Sequence, residues 1–360
     1  MSNAFRELLR KVGSGVHTHK DLTRAEAEAA TRMMLLQEAT PAQIGAFMIA
    51  HRIKRPTGEE LAGMLDAYDQ LGPKLQPISS DRPTLILGSP YDGRDRTAPI
   101  SPITALILAA AGCPVLLHGG DRMPTKAGVP LVELWEGLGL NWRLRSLEEI
   151  QRLFQRTLLG FVYLPLHFPL AQGLVSYRDQ IGKRPPFATI ELLWAPYAGA
   201  SHVVSGFVHP PTEATLQESF RFRGTPAQFT TVKGLEGSCD LPRDRTSIIG
   251  LGQLSDPEQP LLDRLLLHPR DYDLAGVDVA FTSTAQWVMD VQSLLQGRPS
   301  ELQRSVLWNG GFYLWRAGVC EDMAAGLHRA ETMLATGEVA QKLEEIRAAV
   351  TPQTEALLKN

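Results

Sequence analysis

Apolar side chains recur at helical spacing in the first part of the chain. Ile44, Phe47 and Met48 share one face, and Leu61, Met64, Leu65 and Tyr68 fall at i, i+3, i+4 and i+7, the stripe of an amphipathic helix. A start signal precedes each stripe. Thr40 and Thr57 are followed three residues later by Gln43 and Glu60, so the hydroxyl can accept from the amide three positions on while the longer side chain returns to the threonine amide. Pro41 suits the first helical position, where an N–H would find no acceptor within the helix. Short helices of this kind cannot bury their stripes alone, so the pattern predicts a small helical domain over residues 1–75, with part of 170–195 a candidate to complete it. Excess apolar surface on such a domain also suits a homodimer contact.

The periodicity then changes. Residues 72–83 are rich in proline, serine and charge and read as a linker. Thr84 to Leu87 is a short apolar run, an Ala/Leu-rich helical pattern begins at Ser101-Pro102 and stops at Gly112, and Val115 to Leu117 is apolar again. Strand, helix, strand at this spacing predicts βαβ units, with Ser101 as the helix cap. Further strand candidates are Phe161 to Leu164, Val203 to Val208, Phe229 to Val232 and Ser247 to Leu251. From about Thr284 to the end the pattern is helical, with a charged amphipathic stretch around Val339 to Val350. The expected architecture is a small N-terminal helical domain followed, over 84–360, by a large α/β domain with a mainly parallel central sheet flanked by helices.

Composition narrows the class. Of 360 residues, 44% are hydrophobic and 21% charged, and the net charge is -3; these are values of a globular chain, and a protein devoted to nucleic acid is more often basic. The first residues are too polar for a signal peptide, and no stretch reaches the roughly 18 to 20 apolar residues that cross a bilayer, so a cytoplasmic location without membrane contact is expected. Cys113, Cys239 and Cys320 lack paired metal-type spacing and read as inert thiols.

Candidate chemistry lies where strands end. In parallel α/β sheets ligands bind beyond the carboxyl ends of strands, where loop amides face anions. The loop after the first strand holds Gly88, Ser89, Asp92, Gly93, Arg94, Arg96, Thr97 and Ser101; the next holds His118, Gly119, Gly120, Lys126 and Gly128. Two glycine-bearing polar loops on adjacent strands predict a shared anion site. His167 follows a later strand, Arg178 sits on the helical stretch after it, and Glu236 and Asp240 could hold magnesium, which takes oxygen ligands and commonly rides on phosphates.

The order of these segments resembles the anthranilate phosphoribosyltransferase family from about residue 22 to 348. Leu22-Thr23, Glu26-Ala27, the run from Thr40 to Phe47 and the run from Arg52 to Gly63 are similar to that family's N-terminal helices; Leu307 to Gly318 looks like its late helix. The resemblance implies a phosphoribosyl diphosphate site at Gly88, Ser89, Asp92, Gly93, Thr97, Ser101 and Lys126. It implies acceptor binding at His118, His167 and Arg178, and magnesium at Glu236 and Asp240. The partners implied are a phosphorylated sugar and a small-molecule acceptor, in a homodimer.

The site segments also depart from the family's pattern. Its first loop reads Gly-Thr-Gly-Gly-Asp-Gly, where this chain has Gly88-Ser89-Pro90-Tyr91-Asp92-Gly93; Pro90 removes an amide donor, and Pro99 stands in an asparagine's place. Its Lys-His-Gly-Asn-Arg becomes Leu117-His118-Gly119-Gly120-Asp121, and its magnesium-binding Asp-Glu pair becomes Cys239-Asp240. The expectation is therefore a glycosyl or phosphoribosyl transferase, or a phosphoribosyl-ligand-binding protein, with an altered diphosphate site. The alternatives are a non-catalytic homodimer that binds nucleic acid, since the pattern is also similar to the YbiB-type branch, and true anthranilate transfer in tryptophan biosynthesis. For the nucleic-acid alternative, Arg94, Arg96, Arg122, Lys126, Arg178, Lys183, Arg184, Arg221, Arg223, Arg243 and Arg245 are the cations that would have to converge.

Overall fold

The computed structural model describes residues 3–15, 17–254 and 261–350. Four helices come first: α1 (Asn3–Gly13), α2 (Arg24–Leu35), α3 (Pro41–Lys54) and α4 (Gly58–Leu71). Thr40 and Thr57 close their capping boxes, and Thr23 closes another with Glu26. Ile44, Phe47, Met48, Leu61, Met64, Leu65 and Tyr68 are all buried within the chain itself, so both stripes are engaged internally. Helices α2 and α4 approach so closely that a Cβ on Gly63 would lie 2.1 Å from the Arg24 carbonyl oxygen.

A buried ionic group ties this domain together. The Glu60 carboxylate accepts from the Leu22 amide at 2.9 Å, the Thr57 amide at 2.8 Å and the Lys54 ammonium at 2.8 Å, with His51 Nε2 at 3.3 Å. Burial pushes this carboxyl up, but His51, the Leu22 amide and Lys54 outweigh it and bring it down to about 2. A depressed carboxyl adds stability above its unfolded value of 4.5 that is lost as pH falls through 2. Glu60→Gln is expected to cost roughly 3 kcal/mol at neutral pH and to remove that part of the acid sensitivity; urea titrations between pH 7 and 3 measure both, and parallel pH curves for the two proteins would refute the assignment.

The large domain runs β1 (Thr84–Gly88), α5 (Ser101–Ala110), β2 (Val115–Gly119), α6 (Leu131–Gly137), α7 (Leu147–Thr157) and β3 (Leu159–Tyr163). Short helices α8 (Leu164–His167), α9 (Pro169–Gln172), α10 (Val175–Ile181) and α11 (Phe187–Ile190) lead to β4 (Ser201–Gly206), α12 (Pro210–Arg223) and β5 (Gln228–Val232). Then come β6 (Ser247–Gln253), β7 (Leu261–Leu267), α13 (Thr284–Leu295), α14 (Gln303–Arg316), α15 (Met323–Ala335) and α16 (Glu338–Val350). The last part of the expected C-terminal helical stretch, 351–360, lies outside the described residues.

The seven strands lie in the order β3-β2-β1-β4-β5-β6-β7. The first five are parallel, and β6 and β7 join antiparallel at one edge. Strand β1 is buried along its length, as expected of a central parallel strand covered on both faces. From β1 the chain builds β2 and β3 on one side and then β4 and β5 on the other, so the strand order reverses between β1 and β4. Crevices form where the loops of two neighbouring strands leave in opposite directions. Helices α10 and α11 pack on α3 and α4, and α12 packs on α4, which places part of 170–195 against the helical domain. Among the described residues no helix is long and apolar enough to cross a membrane.

Candidate functional site

The loops after β1 and β2 meet, as their composition suggested. Arg94 bridges Val129, the Lys126 ammonium donates to the Gly93 carbonyl at 3.2 Å, and Gly93, at φ +72°, approaches the Gly128 carbonyl so closely that a Cβ would lie 2.5 Å from it. Around this junction the polar residues bind one another. The Arg94 guanidinium donates to Asp240 Oδ2 at 2.5 Å and Ser238 Oγ at 2.9 Å, and its Nε lies 3.4 Å from Glu236 Oε1. Asp240 also accepts from the Ile100 amide at 2.8 Å and the Ser101 hydroxyl at 2.5 Å.

That last bond corrects the expectation that Ser101 caps α5. The cap residue is Ile100, without a side-chain bond, and Ser101 is already the first residue of α5, where its hydroxyl donates to Asp240. Glu236 accepts from the Thr97 amide and hydroxyl, both at 2.9 Å, and from Lys126 at 2.5 Å. Burial pushes the Glu236 carboxyl up, yet Lys126, Asp95 and Thr97 together hold it well below the usual carboxylate range.

A second node lies beside the first. Arg178 is 2% exposed and donates to Asp92 and, at 3.2 Å, to Glu191; Arg184 pairs with Asp92 from the solvent side. Tyr91, the residue at one of the family's glycine positions, turns its hydroxyl to within 2.6 Å of His118 Nδ1. The imidazole packs edge-on against both Tyr91 and Trp194. Burial brings His118 down to about 4, against an upward pull from the Trp194 backbone, so it is neutral at physiological pH. The hollow bounded by Tyr91, Arg178, Glu191, Tyr68 and Phe187 measures only about 20 Å³, room for about one water.

His167 is not brought to this cluster. Its Nδ1 accepts from the Tyr163 amide at 2.9 Å, which leaves Nε2 to donate to the Arg145 carbonyl at 2.7 Å; both ring nitrogens serve the backbone. The basic residues named for a polyanion groove are largely paired within the chain, Arg96, Arg122, Arg184 and Arg245 at exposed positions. Arg94, Arg122, Lys126, Arg178, Arg184, Arg223 and Arg245 each pair with a carboxylate, Arg96 lies 3.6 Å from Glu236, and Arg243 is buried against the Leu274 carbonyl and Ser305. Lys183 and Arg221 are exposed.

The open cleft lies at the strand-order reversal, between the domains. It measures about 320 Å³ and is lined by Pro90 beyond β1, Gly206 at the end of β4, Phe207 and His209 beyond it, Glu236 beyond β5, Arg184, and Arg52 of α3. This is within the size of small-ligand sites. The first two residues of α12 are Pro210 and Pro211, which lack amide donors, so cations rather than helix amides would meet an anion here. Arg52, His209 and Glu191 were not among the sequence candidates. No local signal marks them: Arg52 of α3 and His209 after β4 come together only across the cleft, and Glu191 meets Arg178 only through the fold.

With this geometry in view, comparison with known proteins is direct. Residues 6–72 match the helical bundle domain of the glycosyl transferase family, and residues 92–340 match that family's a/b domain. The chain belongs to this glycosyl transferase family. Within it the chain is similar to anthranilate phosphoribosyltransferases: 27% identical over 336 residues to that of Verminephrobacter eiseniae, covering 92% of this chain and 94% of that protein, and 29% over 340 residues to that of Anaeromyxobacter sp. strain K, covering 92% and 96%. The fold is shared with the solved anthranilate phosphoribosyltransferase from Thermus thermophilus, with a TM-score of 0.77 at 20% identity over 97% of this chain and 99% of that one. The Saccharomyces cerevisiae protein, solved in complex with PRPP and Mg, gives 0.82 at 16% identity over 97% and 98%.

The residues present here do not fit a magnesium ion. Asp240 already accepts from a guanidinium, an amide and a hydroxyl, and Glu236 from an ammonium, a hydroxyl and an amide. The Cys239 sulfur lies 2.9 Å from the Gly88 carbonyl, and burial raises its thiol well above the ordinary value, so it stays protonated and offers no hard oxygen donor.

Proposed function

We propose that this chain takes a phosphorylated pentose in the open cleft and acts as a pentosyl transferase of the anthranilate phosphoribosyltransferase type, with its acceptor seated on the His209 side. The observation that carries this reading is the cleft itself, placed where the parallel strand order reverses and flanked by Arg52 and Arg184. In such a transfer the bond from C1 of the pentose to the leaving diphosphate oxygen breaks and one to the acceptor nucleophile forms. Negative charge grows on the leaving oxygens, and fixed cations at the cleft wall stabilise it. Arg52 and Arg184 are assigned that part. Ser89, buried with its hydroxyl lacking a partner among the described residues, is the loop donor left for a phosphate oxygen, while Gly88, Asp92, Gly93, Thr97, Ser101 and Lys126 hold the loop's shape. Anthranilate in this hollow is disfavoured by its volume of about 20 Å³, of which Tyr91 forms one wall. Pairing of two copies through the helical domain belongs to the same reading.

Isothermal titration with phosphoribosyl diphosphate tests the proposal. Saturable heat is expected, weakened about tenfold or more by Arg184→Ala or Arg52→Ala, the loss of one charge-assisted contact. Anthranilate added to the complex is expected to give no saturable fluorescence change. Absence of heat at millimolar phosphoribosyl diphosphate sinks the reading.

A further inference from the structure

We propose that Arg94 is a built-in cation in place of a divalent metal, so that ligand binding in this cleft is independent of magnesium. The inference rests on the proposed function for its ligand, and on the side-chain network alone for its metal. Asp240 and Glu236 are 1% and 3% exposed at their side chains, and Arg94, 4% exposed, lies between them at 2.5 and 3.4 Å. Two buried carboxylates without a cation would be strongly destabilising, which is why such pairs are found with metals or with fixed basic groups. Here the fixed group is present, and Lys126 completes the balance on Glu236 at 2.5 Å.

The rest of the shell agrees. Ser101, Ile100 and Thr97 all donate to these carboxylates, so the oxygens that could face an ion are directed at hydrogen-bond donors instead. Arg94 follows Gly93 directly in the loop after β1, whereas Asp240 and Glu236 lie beyond β5; the guanidinium therefore joins two loops on either side of β4. An arginine cannot lose its proton at any accessible pH, and its charge would repel a divalent ion brought to the same oxygens.

Manganese, read by the loss of its free paramagnetic resonance signal, is the probe on the full chain. The wild-type protein is expected to leave millimolar Mn²⁺ free. Arg94→Ala, and Arg94→Ala combined with Cys239→Asp, are expected to bind one Mn²⁺ and to gain thermal stability with it, since an ion that binds only the folded state stabilises that state; adding Asp240→Asn should remove both effects. Inorganic pyrophosphate is expected to bind the wild type with affinities in EDTA and in excess magnesium that agree within about twofold. One Mn²⁺ bound by the wild type and lost in Asp240→Asn overturns the proposal, as does failure of both folded Arg94 variants to gain Mn²⁺. Pyrophosphate that binds in neither condition sinks the proposed function while the manganese result still decides the role of Arg94.

Discussion

Replacing Arg178 by methionine is expected to lower folding stability by about 3 to 5 kcal/mol, the cost of removing one partner from a buried ionic group. Methionine reproduces the length of the stem, so packing changes little; what disappears is the charge between Asp92 and Glu191. Arg184 still reaches Asp92 from the cleft, but buried Asp92 loses its second cation, and Glu191, 6% exposed, loses its partner at 3.2 Å. Urea denaturation at pH 8 measures the effect, and a loss below about 1 kcal/mol would place Arg178 among ordinary surface pairs.

The pH dependence has a definite sign. Burial pushes the Glu191 carboxyl up to about 7, outweighing the downward pull of Arg178, while Asp92 adds to the rise. The folded state therefore keeps a proton that the unfolded chain, at its ordinary 4.5, has released. Stability from this group is complete below 4.5 and is lost as pH rises to 7, so the wild-type protein softens over that interval. Without Arg178 the carboxylate is disfavoured further, and the difference between variant and wild type should widen as pH rises.

Much of the fold was legible because its signals are local. Thr40 with Gln43 and Thr57 with Glu60 announce helix starts within four residues, and apolar runs bounded by glycine and proline mark the parallel strands. Strand β7 escaped notice for a local reason too: Leu-Leu-Asp-Arg-Leu-Leu-Leu has no two-residue alternation, and leucine favours helix. It is a strand because β6 offers it a paired edge.

The site was legible only as a collection of residues. Arg94 and Asp240 are 146 positions apart and Arg178 and Asp92 are 86 apart, so composition could count cations and acids but not match them. Two of the arginines that sequence reading offers to a polyanion, Arg94 and Arg96, are thus engaged by the carboxylates that the same reading offers to a metal. Tyr91 is the clearest case. In the sequence it is a bulky residue at a glycine position; in the fold it walls the small hollow and its hydroxyl meets His118.

Gly206→Ala is expected to be nearly as damaging as the loss of Arg178, through sterics instead of charge. Gly206 ends β4, and a Cβ there would lie 2.2 Å from the Gly237 carbonyl oxygen and 2.3 Å from that of Ser238. Both are backbone atoms of the segment that carries Glu236 and Asp240, so relief requires moving the segment and the contacts of both carboxylates with it. Overpacking usually costs 1 to 3 kcal/mol, and about 3 kcal/mol or more is expected where backbone must yield. Binding of phosphoribosyl diphosphate should fall with it, because Gly206 and Glu236 line one cleft. Gly112→Ala separates this from the general cost of losing a glycine: Gly112 is at φ +79° with nothing within 4 Å of a Cβ, and should cost only about 1 to 2 kcal/mol. Equal losses for the two variants, or full ligand affinity in Gly206→Ala, would mean that the Glu236 turn is not wedged against the end of β4 and that the cleft wall is set by something else.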